Sequence, residues 1–219
     1  MGFKKSFAAV VLAVSMIVGS VGTASAATSP ATAPAAKAYI DNNKKDHSES
    51  VVVSKINTKG TAGTVTKVTA KSGKYKDETK LSTARNAKGK KVPITVVGDG
   101  KKGVFATKSG KKITKVIIAS KKQVTVKANA FKSSKVKNLT IAGKVSFKKN
   151  AFKGTGNKTV TIKIGLKKAS SVTVVKGAFN GLSSKSKVTV SKSKMSAAEF
   201  KKLSSKLKKA GFKGTIVRK

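Results

Sequence analysis

The sequence predicts a mainly β fold, a solenoid of short stacked coils closed at its C-terminal end by an amphipathic helix. Three observations predict it. The segments VTVKANAF (124–131), VSFKKNAF (145–152) and VTVVKGAF (172–179) align without gaps, each apolar at its first and third positions and ending in Ala-Phe. Phe105, Phe131, Phe152 and Phe179 recur at intervals of 26, 21 and 27 residues, a period at which each unit buries its apolar face against its neighbours. Near the end of the chain, Phe200, Leu203, Leu207 and Ala210 are spaced 3, 4 and 3, which marks one face of a helix.

Taken in order, the chain opens on a secretory signal. Lys4 and Lys5 give a positive n-region, Phe7 to Val18 is apolar apart from Ser15, and Ala24-Ser25-Ala26 is an A-x-A cleavage site. The apolar core is shorter than the roughly 20 residues of a membrane-spanning helix. Removing residues 1–26 takes away Lys4 and Lys5 and lowers the formal charge from +42 to +40. The expected location is extracellular or on a bacterial cell surface, with no membrane insertion after signal removal. No second hydrophobic span or C-terminal sorting motif is visible, so surface retention is expected to rest on something other than a covalent or membrane anchor.

Residues 27–50 hold Pro30, Pro34, six Ala and the polar run DNNKKDHSES. Little there can be buried, and a disordered linker is expected. Over 51–93, short β-branched runs (Val51-Val52-Val53, Val65-Thr66-Lys67-Val68) are punctuated by Gly60, Gly63, Gly73 and Gly89; this reads as irregular β structure or degenerate coils. The repeat region is placed at 94–191. Each Ala-Phe segment is followed by a polar turn and a second apolar run, and the runs are ITKVII (113–118), VKNLTI (136–141), VTIKI (160–164) and VTV (188–190). A looser copy ends in Val104-Phe105. Phe and β-branched residues are expected inside, with Lys, Ser and Thr alternating outward.

Residues 192–219 are expected to form a helix-strand cap. Ser196-Ala197-Ala198-Glu199 is a capping box and Met195 with Phe200 a hydrophobic staple. Gly211 suits the left-handed position after the helix, from which Phe212 can fold back on Leu207. Thr215-Ile216-Val217 is a last short strand.

With these residues in view, the chain resembles the BspA-type leucine-rich repeats of bacterial surface proteins. That pattern is written I-G-x-x-Ala-Phe-x-G-C-x-x-L-x-x-I-x-I. Ala130-Phe131, Ala151-Phe152 and Ala178-Phe179 match its central pair, Gly154 and Gly181 its following Gly, and Leu139, Ile141, Val160 and Ile162 its strand positions. The family Cys is replaced by Ser134, Thr155 and Leu182, and residues 51–93 match poorly. The resemblance covers about residues 94–219. It implies a leucine-rich-repeat-like solenoid that is secreted or surface-bound and linked to adhesion, and it assigns neither an enzyme activity nor binding residues.

Composition narrows the function classes. There are 49 Lys+Arg against 7 Asp+Glu, no Cys and one His. Disulfides, zinc-thiolate sites, thiol catalysis and multi-histidine chemistry are excluded. Residues 100–219 carry 32 Lys and Arg218 against Glu199 alone, a net +32, which should attract polyanions through steering and counterion release. Near-exclusive use of Lys, with only Arg85 and Arg218, and aromatics at 5% argue against specific nucleic-acid recognition. Lys201, Lys202, Lys206, Lys208 and Lys209 oppose the apolar stripe of the last helix, a pattern better explained by docking on the last coil than by a membrane surface.

No catalytic constellation emerges. Asp46-His47-Ser48-Glu49 are chain neighbours and cannot build a triad. Asp41, Asn43 and Glu49 lack the Gly and spacing of a calcium loop, and Val97-Gly98-Asp99-Gly100 is a turn. Asp77 and Glu78 are adjacent and point to opposite sides of a strand. No catalytic, cofactor or metal residue is therefore assigned, and no cofactor is expected. The expected function is non-catalytic binding of an anionic cell-wall polymer or glycan by a Lys-rich face. The alternatives are an adhesin for a host or neighbouring-cell protein, and a structural envelope component without a dedicated ligand. With more than thirty similar lysines, composition selects no binding residues.

Overall fold

The computed structural model describes residues 37–39, 51–70, 77–86 and 88–219. The fold is mainly β, with strands in parallel sheets and one C-terminal helix. The strands are β1 (Lys37–Tyr39), β2 (Val51–Ile56), β3 (Gly63–Thr69), β4 (Glu78–Leu81), β5 (Thr83–Arg85), β6 (Lys91–Val97), β7 (Lys115–Ile118), β8 (Val124–Val126), β9 (Asn138–Ile141), β10 (Val145–Phe147), β11 (Thr161–Ile164), β12 (Val172–Val174), β13 (Lys187–Val190) and β14 (Thr215–Arg218); the helix is α1 (Ala197–Lys209). The signal segment lies outside the described residues. So does the linker, apart from β1, which pairs antiparallel with β2.

One sheet runs β1-β2-β3-β6-β8-β10-β12, with β5 added on β6; the other runs β4-β7-β9-β11-β13-β14 and is parallel throughout. From β6 to β13 the chain alternates between the two sheets, one strand each time. Residues 51–93 are partly antiparallel, through the β2–β3 and β5–β6 pairs. They join the rest through β3, parallel to β6, and β4, parallel to β7.

Register explains the repeat. In the second sheet Val116, Leu139, Ile162, Val188 and Ile216 stand side by side, and so do Leu81, Ile118, Ile141, Ile164 and Val190. All but Ile216 are buried. In the first sheet Val124, Val145 and Val172 form one such row, and Val126, Phe147 and Val174 another. Because side chains alternate across a strand, the two apolar residues of each triplet point to the core side and the middle one to the other; Val174 is only partly buried, and the middle residues Ser146 and Thr189 are themselves covered. The two buried faces share one hydrophobic cluster.

Phe105, Phe131, Phe152 and Phe179 form a column inside it, with ring centroids 5.6, 4.7 and 6.0 Å apart. The turns that lead each chain segment into this column use left-handed backbone at equivalent places. Gly100, Asn129, Asn150 and Gly177 have φ of 89°, 57°, 63° and 78°, and Asn tolerates this region better than other residues with a Cβ. Asn129 N–H donates to the Asn150 carbonyl and Asn150 N–H to that of Gly177, each at 2.9 Å. The Asn129 side-chain amide donates to the Gly100 carbonyl at 2.9 Å. Two residues after Phe131, Phe152 and Phe179, a second such row holds Ser133, Gly154 and Gly181 at φ 59°, 69° and 100°. Where the Cys of the resembled pattern would stand, the Ser134 and Thr155 hydroxyls are buried 3.2 Å apart and hydrogen-bonded.

Helix α1 closes the core on one side. Its Leu203 and Leu207, with Ala210 just beyond, are buried. The end is a Schellman motif: Gly211 has φ 89°, Phe212 N–H donates to the Leu207 carbonyl and Gly211 N–H to that of Lys208. The Phe212 main chain turns back to Leu207, and both side chains are buried in the same cluster. The Phe212 ring packs edge-on against Phe179, at 5.2 Å, and so ends the aromatic column. At the other helix end Ser196 Oγ accepts from Glu199 N–H at 3.3 Å. The reciprocal half of the expected capping box is replaced, because the Glu199 carboxylate accepts from Ala169 N–H at 2.7 Å instead. Gly177 N–H donates to the Ala210 carbonyl, so the helix end continues this hydrogen-bonded row, here with a right-handed residue. β14 then extends the second sheet alongside β13.

Candidate functional site

Lysines carry nearly all the exposed charge, and the parallel register decides which of them lie side by side. Continuing the register of β8, β10 and β12 past their ends aligns Lys127 with Lys148, and Lys149 with Lys176. Adjacent strands lie about 4.8 Å apart. Two ammonium groups held at that spacing repel by about 1 kcal/mol even in water, so each pair favours any anion that sits between them.

Of the four acids among the described residues, three are already engaged. Asp77 accepts from the Thr114 hydroxyl at 2.8 Å and meets Lys115 Nζ at 3.4 Å. The Thr114 hydroxyl, then Lys115, holds its carboxyl below the usual range. Asp99 caps its own turn, accepting from the N–H groups of Lys102 and Lys101, and these lower its pKa. Glu199 binds Ala169 N–H and then Lys202 Nζ at 3.2 Å, and both hold it ionised to lower pH. The one carboxylate of the C-terminal half is thus spent on docking α1. Lys206 works beside it, its ammonium donating to the carbonyls of Ala169 and Val172, each at 3.0 Å. Expected to oppose the apolar stripe, Lys206 is instead half-buried on the flank of the helix.

Around this joint the lysines converge. A groove of about 670 Å³ runs between α1 and β12, lined by Val174, Ala210, Ser205 and the lysines 176, 201, 202, 206 and 209. A second recess shares Lys176 with it and adds Lys149 and Lys213 beside Gly177 and Gly211. The two make one cationic surface with an apolar floor. Lys149, Lys176 and Lys213 could not be selected from the sequence, because only the lateral register and the helix turn bring them together. The helical spacing of Lys202, Lys206 and Lys209 was the legible part.

The remaining sequence candidates do not assemble. Asp41, Asn43, Asp46, His47, Ser48 and Glu49 lie outside the described residues. Among the described residues no three His, Cys, Asp or Glu side chains are grouped as metal ligands would be, and no helix is long and apolar enough to cross a membrane. The 97–100 segment is a turn, with Gly98 and Gly100 at φ 90° and 89°. No protein-family model matches this chain, and neither curated proteins nor solved structures give a match.

Proposed function

We propose that this chain is a secreted, non-catalytic protein of a bacterial surface or envelope, built as a BspA-like leucine-rich-repeat solenoid whose lysine surface holds an anionic wall polymer or glycan. The solenoid reading is supported by the strict alternation of strands between two sheets and by parallel neighbours at every step after β6. The family reading is supported by what the Ala-Phe motif does. Ala130, Ala151 and Ala178 are buried beside the Phe column, and Gly154 and Gly181 take the left-handed backbone that a Gly two residues later serves.

The binding reading rests on one observation. Residues 100–219 hold 33 basic side chains and one acid, and that acid is consumed by α1 docking. A surface so charged destabilises its own compact state unless an external polyanion neutralises it. Among the described residues, Phe105, Phe131, Phe147, Phe152, Phe179 and Phe212 are buried and, of the phenylalanines, only Phe200 is partly exposed, which leaves few platforms for stacking bases.

The test is binding of the chain from residue 27 onward to isolated cell walls, with and without teichoic acid, across a salt series. Binding that requires the polymer and weakens steeply between about 50 and 200 mM salt is the expected result. Absence of binding at low salt overturns the reading. Binding that survives high salt and ignores teichoic acid points instead to a shaped protein–protein contact.

A further inference from the structure

We infer that the groove between α1 and β12 is the principal binding subsite, and that it takes the phosphate groups of a polyol-phosphate chain. This rests on the polyanion reading above and names its place and chemistry.

Three features single the groove out from the general lysine surface. First, Lys206 is half-buried and its ammonium is held by two neutral carbonyls, of Ala169 and Val172. An ammonium has three N–H donors, so one remains for a ligand, and no carboxylate is bonded to this charge. Secondly, the groove gathers cations from two elements, Lys176 after β12 and Lys201 and Lys209 from α1. Lys201 and Lys209 are eight residues apart, about 12 Å along the helix, with the Ser205 hydroxyl between them, so the helix places two ammonium groups toward opposite ends of the groove. Thirdly, the floor is Val174 and Ala210, with the Ser205 hydroxyl on the wall. That suits a chain of alternating charged and apolar units.

The donor type selects the anion. Lysine meets phosphate as a point charge, whereas planar carboxylates are matched by the two-pronged guanidinium of arginine. The one arginine of the C-terminal half, Arg218, donates its Nε–H to the Met195 carbonyl at 2.9 Å and does not line the groove. Nucleic acid carries phosphate too, but no aromatic ring lines the groove. Phe200 lines an adjoining recess that shares Lys201, Ser205 and Lys209 with the groove, so single-stranded nucleic acid is the competing occupant that the oligothymidylate probe tests.

The experiment compares the unaltered chain with two triple variants of equal charge, Lys176→Gln/Lys201→Gln/Lys209→Gln in the groove and Lys121→Gln/Lys122→Gln/Lys163→Gln elsewhere. Lys206 is left in place because it docks the helix. Affinity for soluble poly(glycerol phosphate) is measured against salt, with polyglutamate and single-stranded oligothymidylate as other probes. The groove triple is expected to lower the slope of log K against log salt by about three, roughly one for each phosphate that is no longer neutralised. The control triple should lower it by less than one, and polyglutamate should bind at least tenfold more weakly than poly(glycerol phosphate). Equal slopes for the two triples overturn the groove while leaving polyanion binding intact. Equal affinity for polyglutamate or oligothymidylate overturns the phosphate-chain assignment. If the unaltered chain binds none of the three, the polyanion reading and this inference fall together.

Discussion

Truncating one ring of the aromatic column measures how far it holds the core together. Phe152 is 1% exposed, and its ring is stacked on Phe131 at 4.7 Å and packed near Phe147 and Phe179 at 5.8 and 6.0 Å. Replacing a buried Phe by Ala costs about 3–5 kcal/mol, from lost transfer energy and the cavity left behind. Each ring pair adds about 0.5–1.5 kcal/mol beyond buried area, and Phe152 has three. Phe105 is equally buried but, among the described residues, its ring pairs only with Phe131, at 5.6 Å. Phe152→Ala is therefore expected near the top of that range, about 5 kcal/mol, and Phe105→Ala about 1–3 kcal/mol lower, the worth of two ring pairs. Phe152→Leu keeps most of the volume and should fall well below both. The assay is urea unfolding followed by far-ultraviolet circular dichroism, with m-values compared to confirm that the same structure unfolds. A Phe152→Ala cost below about 2 kcal/mol, or one no larger than that of Phe105→Ala, refutes the column as the organising element of the core.

Two further outcomes follow from backbone and charge. Ser133 occupies, at φ 59°, the left-handed position that Gly154 and Gly181 fill in the next two repeats; Ser133→Gly should stabilise by about 0.5–1 kcal/mol, relief of strain less the entropy of Gly, read as a rise in the urea midpoint. The Glu199 carboxyl is depressed in the folded state by Ala169 N–H and Lys202, so its contribution is present above the ordinary unfolded value of about 4.3 and disappears as pH falls through the lower folded value. Protection of the Ala169 amide from hydrogen exchange should accordingly fall as pH is lowered below 4, and Glu199→Gln should show reduced protection already at pH 6; unchanged protection in the variant would falsify the docking role of this carboxylate.

Much of this architecture was readable because its periodicity is local. The Ala-Phe triplets located the strands and the buried column, since alternation along a strand determines which side chains can share a core. The helix and its C-terminal turn were equally legible, because Leu203, Leu207 and Gly211 need only helical geometry to specify them. What the sequence could not supply was everything that depends on pairs remote along the chain. The pairing of β3 with β6 and β4 with β7, which ties residues 51–93 to the repeats, leaves no period to detect. Glu199 looked like half of a capping box because local spacing favours that bond. Only the docked helix brings the Ala169 amide, thirty residues earlier, within 2.7 Å of its carboxylate. The lysines divide the same way. Their number is set by composition, and with it the attraction to polyanions. Which of them face one another across the groove is decided by strand register and by the angle of one helix, because charge acts through distances in space and not along the chain.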